Sequence, residues 1–447
     1  AFRFVLVLAV LVTIGLAASA SWWSGPLLAR IHDPAGAAQA AEGGLDAFGR
    51  LAAAVIGLLI LYFFLMSVMK GLRMYRALSL MELFHGGLFL GMAVIAFVTD
   101  RLSAYSLGVM YGGSLLAAAI VFGVGLTRTL RIHRGDTARL NDPAFLRRML
   151  RFSVWATLAG FTWQALQYYP TWYLNRVHGH ESAAVFIAVR QFGQFVLVAA
   201  AAVITVVLTQ VTKTWEREGV AAADRQWSLS FRSLSLMLLL GCGLLTLIRH
   251  WLLGVYSPAY AVGADILPLQ LLFFLLGANL AFLAIHFNLI EKTRHMFWPW
   301  AVGVATNMVL AYWLLGAPRA RLEDSAIWHR LVALSDVVCV TGLAERIGDA
   351  GLEVGLRGAS WAGVLAMTAA LLTSLALLRL EGRPVDRGSR IVLCGAVLLV
   401  LKPSAMVIGL VVLTWLSLRT NAVFAAEERS VLFEHVRRVI GGFRRVR

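Results

Sequence analysis

Charge is scarce in this chain. Aspartate, glutamate, lysine and arginine together make up 14% of its 447 residues, while hydrophobic residues make up 60%. A soluble protein of that length needs far more polar surface to cover its core, so a water-soluble globule is excluded. Long polar stretches are also missing. The widest gaps between apolar runs, 22–48, 127–150, 316–357 and 419–447, are too short for a conventional catalytic domain. There are three cysteines, Cys242, Cys339 and Cys394, without paired spacing, so neither a disulfide framework nor a metal site is indicated. The HExxH, P-loop and GxSxG signatures are absent. No cofactor is expected, and without a nucleotide-binding domain any transport runs on a gradient or on substrate supply.

What the chain does have is apolar runs of about 18 residues or more, recurring from end to end, with a mean hydropathy of +0.76. In lipid the backbone must satisfy its own hydrogen bonds, and the period-2 alternation of a barrel is missing. The fold class is therefore an all-α polytopic membrane protein. Helices are expected near 4–21, 49–68, 80–98, 104–126, 150–172, 183–210, 228–248, 264–290, 296–315 and 358–378. The run 391–418 is interrupted by Lys402-Pro403, which allows one kinked helix or a hairpin of two short ones.

The net charge is +16, and 36 of the 40 basic residues are arginine. A pI near 10.5 could signal nucleic acid, but the positive-inside rule explains the basic balance, and no nucleic-acid partner is expected. With a cytoplasmic N-terminus and alternating helices, cytoplasmic segments hold 27 Arg and Lys and periplasmic segments 11. Arg190 and Arg232 fall within helices. A single final helix would place the seven-arginine tail outside, so the count favours a hairpin, about twelve helices and a cytoplasmic C-terminus in the inner membrane.

The basic segment TRTLRIHRGDTARLNDPAFLRRML reads as a junction between two lobes. The expected organisation is an N-terminal lobe over 1–126, a cytoplasmic linker over 127–149 and a C-terminal lobe over 150–378 with a long periplasmic loop at 316–357. A short helix pair over 379–418 and a basic tail over 419–447 follow. The tail can form an amphipathic helix able to lie on anionic lipid. Residues 1–23 read as a helix, although the basic start and Ala18-Ser19-Ala20 also suit a signal peptide.

Ionisable groups inside spans are costly and so are candidates for function. Arg190, Gln191 and Gln194 follow one another at i, i+1 and i+4 and are expected on one helical face. The preceding helix offers Gln164, Gln167, Tyr168 and Thr171 in the same way. A short connection at 173–182 makes the two helices antiparallel neighbours, and a shared hydrated pocket in the periplasmic half is the economical reading. Polar glue between helices is the alternative. Asn279 and His286, seven apart, share a face of the 264–290 helix. Arg232 and Arg151 sit at helix starts, where snorkelling suffices. Glu82 and His85 are expected to be solvated at an interface.

Three stretches resemble a known family. FLRRMLRFSVWATLAGFTWQALQYYPTWYLNRVHGHESAAVFIAVRQF resembles the seventh and eighth helices of bacterial polysaccharide flippases, with Ala184 and Phe186 replacing the usual Gly and Tyr. YSPAYAVGADILPLQLLFFLLGANLAFLAIHFNLIEKTRHMFWPW is similar to that family's "gpeYaaA" segment and the helix pair after it. GLRGASWAGVLAMTAALL looks like its "G-x-x-GAa-x-At" segment. The pattern covers most of residues 50–380. These flippases belong to the multidrug/oligosaccharidyl-lipid/polysaccharide (MOP) exporter superfamily. The resemblance implies two six-helix lobes around a central cavity, often with two extra C-terminal helices. Only four helices precede the basic linker here, so the first two of the family are expected to be lacking. The resemblance also implies that Arg190 meets the pyrophosphate of a polyprenyl-linked sugar.

The expected function is thus an inner-membrane flippase, not an enzyme, that moves a polyprenyl-diphosphate-linked oligosaccharide by alternating access. Arg190 would hold the diphosphate, with Gln164, Gln167, Gln191 and Gln194 bonding sugar hydroxyls, and Tyr168, Asn279 and His286 as further candidates. Pathway glycosyltransferases and a polysaccharide polymerase are the candidate partners. Three alternatives are open: a small-molecule exporter of the same fold, a periplasm-facing membrane glycosyltransferase, ligase or polymerase, and, if the cavity is filled, a non-transporting membrane scaffold.

Overall fold

The computed structural model describes residues 44–71, 74–101, 103–132, 143–256, 258–316 and 350–430. The helix expected over 4–21, most of the 316–357 loop and the amphipathic tail lie outside the described residues. Among those described there is no strand. Among the described residues seven helices are long and apolar enough to cross a membrane by length and composition. Spatial contacts divide the chain into two compact units, Ala1–Asp142 and Pro143–Arg447.

In the first unit α1 (Gly44–Gly71), α2 (Tyr75–Val98) and α3 (Ala104–Ile132) pack around Tyr62, Leu65, Met69, Met81 and Leu115. Gly108 and Gly112, one turn apart on α3, let the helix meet α1 closely. A Cβ on them would lie 3.0 Å from Leu51 and 3.1 Å from Val55. Outward residues such as Phe63, Leu83 and Phe97 stay exposed, because the surrounding solvent is hydrocarbon. His85 is not simply solvated. Its Nδ1 is 2.9 Å from the Ser114 hydroxyl, and its ring lies 5.2 Å from both Tyr62 and Tyr111. Glu82 is exposed, as expected.

Helix boundaries near the expected linker differ from the sequence reading. Nothing in TRTLRI breaks a helix, so α3 runs on to Ile132 instead of stopping at 126. The next helix starts at Pro143, where proline's fixed φ suits a first turn.

In the second unit the helix α4 (Pro143–Glu218) absorbs both helices expected at 150–172 and 183–210, and the loop expected at 173–182 is helical. The only non-helical backbone inside it is Gly179, at φ 85° and ψ 179°, a region essentially reserved for glycine. The chain folds back there. Phe273 stacks with Trp163 at 6.2 Å and lies 5.1 Å from the Arg190 guanidinium. In a straight helix those two residues would be about 40 Å apart. Gly219, at φ 87°, repeats the device before α5 (Val220–Leu247), and a 2.6 Å hydrogen bond from Thr214 to Gln226 closes that second hairpin.

After α6 (Arg249–Tyr256) and a 3₁₀ segment (Pro258–Asp265) comes α7 (Leu267–Leu289), which is buried along almost its whole length. Its sequence is apolar on every side because α4, α5 and α9 all pack against it. Then follow α8 (Arg294–Gly316) and α9 (Ala350–Leu380). The end of the chain is a hairpin, as the charge count favours. α10 (Arg387–Gly395) and a 3₁₀ segment (Ala396–Val400) lead to a break at Leu401-Lys402, and α11 (Pro403–Arg419) returns. Gly395 faces Leu413 and Gly409 faces Leu398, which is an antiparallel register.

Gly179 has open space around its Cα, so the cost of a side chain there is conformational alone. Gly179→Ala is expected to destabilise the protein by about 1–3 kcal/mol. Gly113→Ala, equally unobstructed but helical, is expected to be neutral or slightly stabilising. Thermal unfolding of the two variants in detergent checks the contrast.

Candidate functional site

Arg190 lies in the second arm of α4, one turn beyond Phe186 and just before Gly193. A Cβ on Gly193 would strike the Phe274 ring, so the glycine lets the arm press against α7. Arg190 is carried inward with it and is 5% exposed. Its guanidinium lies 5.4 Å from Phe186, 5.1 Å from Phe273 and 5.2 Å from Phe274. Each ring face attracts the cation, by about 0.5–2 kcal/mol. Nη2 is buried and has no hydrogen-bond partner. Among the described residues no carboxylate pairs with it. The ring contacts leave a strong donor unsatisfied, which costs several kcal/mol in an apolar setting.

The glutamines are placed differently from the sequence reading. Gln191 is exposed while Arg190 is buried, because adjacent helical residues point about 100° apart. Gln194 is half-buried. On the first arm the inward positions belong to Trp163 and Leu166. Trp163 stacks on Phe273 and lies 4.8 Å from Trp300. Gln164 is exposed, Gln167 half-buried and Tyr168 67% exposed. The expected single pocket of arginine and glutamines is therefore not formed. Aromatic rings fill the space between the arms and α7.

Asn279 and His286 do share a face of α7, and it is turned toward α5. The Ser235 hydroxyl donates to Asn279 Oδ1 at 2.7 Å. The His286 ring lies 4.1 Å from the Trp227 ring, and its Nδ1 is 3.8 Å from Asp224 with no hydrogen bond made. Asp224 instead accepts from Arg383 at 2.9 Å. His286, Trp227, Asp224 and Arg383, though not Asn279 or Ser235, belong to a second pocket of about 390 Å³, lined also by Ser228, Arg232, Asp386 and Glu428.

Arg232 does not snorkel, which corrects the sequence reading. It is 7% exposed and joins α5 to the chain after α11. Its Nη2 donates to Glu428 at 2.6 Å, its Nη1 donates to the Val423 carbonyl, and its Nε is 3.8 Å from Asp386. Burial alone would raise the Asp386 carboxyl. Hydrogen bonds from Ser228 and Ser389 and the Arg232 charge outweigh it and hold the group below its ordinary 3.8. Asp386 also caps α10 by accepting from the Ser389 backbone N–H at 3.2 Å. The sequence hid this hub because its partners lie about 150 to 200 residues further along. Arg151, read in the same way, has no described side chain.

Apolar passes, one-residue reversals, a central helix buried almost throughout and a terminal hairpin define a multi-pass α-helical membrane protein with a MATE-like fold. Two solved structures of a MATE protein, a P26A mutant and a straight conformation, share it at a TM-score of 0.60 in both cases. They are 11% and 12% identical to this chain, and each match covers 85% of this chain and 77% of theirs. At such identity the likeness is one of fold. No protein-family model matches the sequence, and neither does any curated protein.

A carboxylate held low in the fold adds stability that is complete above its unfolded value and is lost as pH falls through its folded one. Thermal stability in detergent is therefore expected to fall from about pH 4 downward, and less so in Asp386→Asn, which lacks that group. Arg232→Met, which strands Glu428 and Asp386, is expected to cost about 3–5 kcal/mol in the same assay.

Proposed function

We propose that this protein is an inner-membrane flippase for a polyprenyl-diphosphate-linked oligosaccharide, working in cell-surface polysaccharide biosynthesis. The observation that carries the proposal is Arg190: a buried guanidinium with an unsatisfied N–H, ring faces around it and no carboxylate partner among the described residues. A diphosphate would supply the missing acceptors through charge-assisted hydrogen bonds. A cationic small molecule would be repelled by the same group, which speaks against the multidrug-type alternative. The fold supports transport over catalysis, and the two units would alternate access. The Phe273 and Phe274 rings cover Arg190, so the substrate gains it only when they move aside, a step that an alternating cycle would supply. The arginine-rich connections would face the cytoplasm, as would the C-terminus.

Proteoliposomes loaded with a fluorescent lipid-linked oligosaccharide test the proposal. Arg190→Ala is expected to slow headgroup translocation about tenfold to a hundredfold, the loss of one or two charge-assisted bonds. Arg190→Lys should retain an intermediate rate. A rate equal to wild type in the alanine variant removes Arg190 from the function. No translocation by wild type with any lipid-linked donor rejects the flippase, and new glycosidic bonds in the same vesicles would point to a glycosyltransferase.

A further inference from the structure

One large feature of the second unit is unused by the function above. A groove of about 770 Å³ lies between the second arm of α4 and α5, walled from Phe195 to Gln210 on the arm and from Gln226 to Leu245 on α5. The reversal at Gly219 and the Thr214–Gln226 hydrogen bond set the register, so Gln210 is level with Ser230 and Phe195 with Leu245. The lining is graded. Its polar residues Gln210, Gln226, Ser230 and Ser233 all sit toward the Gly219 end, and the remainder is apolar, hydrocarbon apart from the sulfurs of Met237 and Cys242.

Gly241, on the groove wall, has no packing reason to be glycine. A Cβ there would meet nothing within 4 Å, whereas one on neighbouring Gly243 would strike Leu410. Glycine inside a helix costs about 0.5–1 kcal/mol relative to alanine. Here it leaves width where a larger side chain would fill the groove. The stripe of groove residues on the arm continues one and two turns past Gln210 to Lys213 and Arg217, both exposed, while Glu216 and Glu218 lie to either side of it. Hydrocarbon, then amide and hydroxyl, then cation is the complement of a lipid with an anionic head.

Length indicates which lipid. From Phe195 to Gln210 the arm rises about 22 Å, beyond the ~15 Å that is half of a hydrocarbon core. The chain of an ordinary phospholipid stays within its own leaflet, whereas this groove passes the midplane. We propose that it seats the isoprenoid chain of a polyprenyl phosphate in the loading state, with the phosphate held first at Lys213 and Arg217, before the head of the substrate reaches Arg190 at the other end of the arm. The proposal rests on the reading that the substrate is polyprenyl-linked, and it gives the carrier's tail a place on the protein.

The full chain in phosphatidylcholine nanodiscs, labelled with a photoreactive polyprenyl phosphate and mapped by mass spectrometry, tests it. Adducts are expected on the groove walls within 195–245. They should fall about tenfold in Gly241→Phe and in Ala199→Phe, which block the groove from opposite walls, and about threefold or more in a Lys213→Gln, Arg217→Gln variant. Unfolding temperatures near wild type show that the blocked variants are folded. Undiminished labelling in both folded blocked variants overturns the proposal. So does equal competition by unlabelled phosphatidylglycerol, which would mark the groove as a site for ordinary anionic lipid. Groove labelling without oligosaccharide translocation by the same preparation upholds the tail site and rejects the flippase. Translocation without groove labelling rejects the tail site alone.

Discussion

The second unit depends on keeping α7 out of contact with its surroundings. A helix apolar on every side has no face of its own to show, so the unit's other helices are arranged as its covering. The two arms of α4, together with α5 and α9, lie against it. That enclosure gives Arg190 its surroundings, because two of the rings around the guanidinium, Phe273 and Phe274, belong to α7. It also gives Asn279 and His286 theirs, on the side turned to α5. One buried helix thus separates two polar sites of different character. The first is a lone cation among rings. The second is a network in which Asp224, Arg232, Arg383, Asp386 and Glu428 each have an opposite charge within reach.

Unequal satisfaction explains why the two sites suit different tasks. In the network the removal of either arginine strands a carboxylate, so the arrangement ties α5, the turn before α10 and the chain after α11 together. At Arg190 the unmet donor is already present, and a bound acceptor adds a bond without breaking one.

Much of the fold was legible in the sequence because lipid leaves the backbone few choices. Apolar runs located the passes, and the charge count favoured the hairpin over 391–418. The misread places all concern turns and faces. The 173–182 connection looked like a loop because it is polar, yet it is helical except at Gly179, its one glycine, and sequence alone does not say that a single residue makes the reversal. Arg190 was found by its chemistry, but grouping it with Gln191 failed. A 100° step separates neighbours, and packing against Phe274 decided which of them turned inward. Arg232 looked like a snorkelling arginine because its partners, Asp386, Val423 and Glu428, are remote in sequence. The groove beside α5 was invisible, since its main mark is a glycine with nothing near it.

The two glycine reversals have a mechanical meaning. A loop of many residues would absorb relative motion of the helices it joins. At Gly179 and Gly219 the connection is one residue, with two soft torsions and no slack. The three passes from Pro143 to Leu247 therefore resemble the leaves of a folding rule more than separate rods on strings. Tilting the α5 leaf drags the arm that carries Arg190, and that arm drags the one that carries Trp163. Any motion imposed at the charged end of α5 would reach the guanidinium as displacement along a stiff linkage that packs against the buried α7.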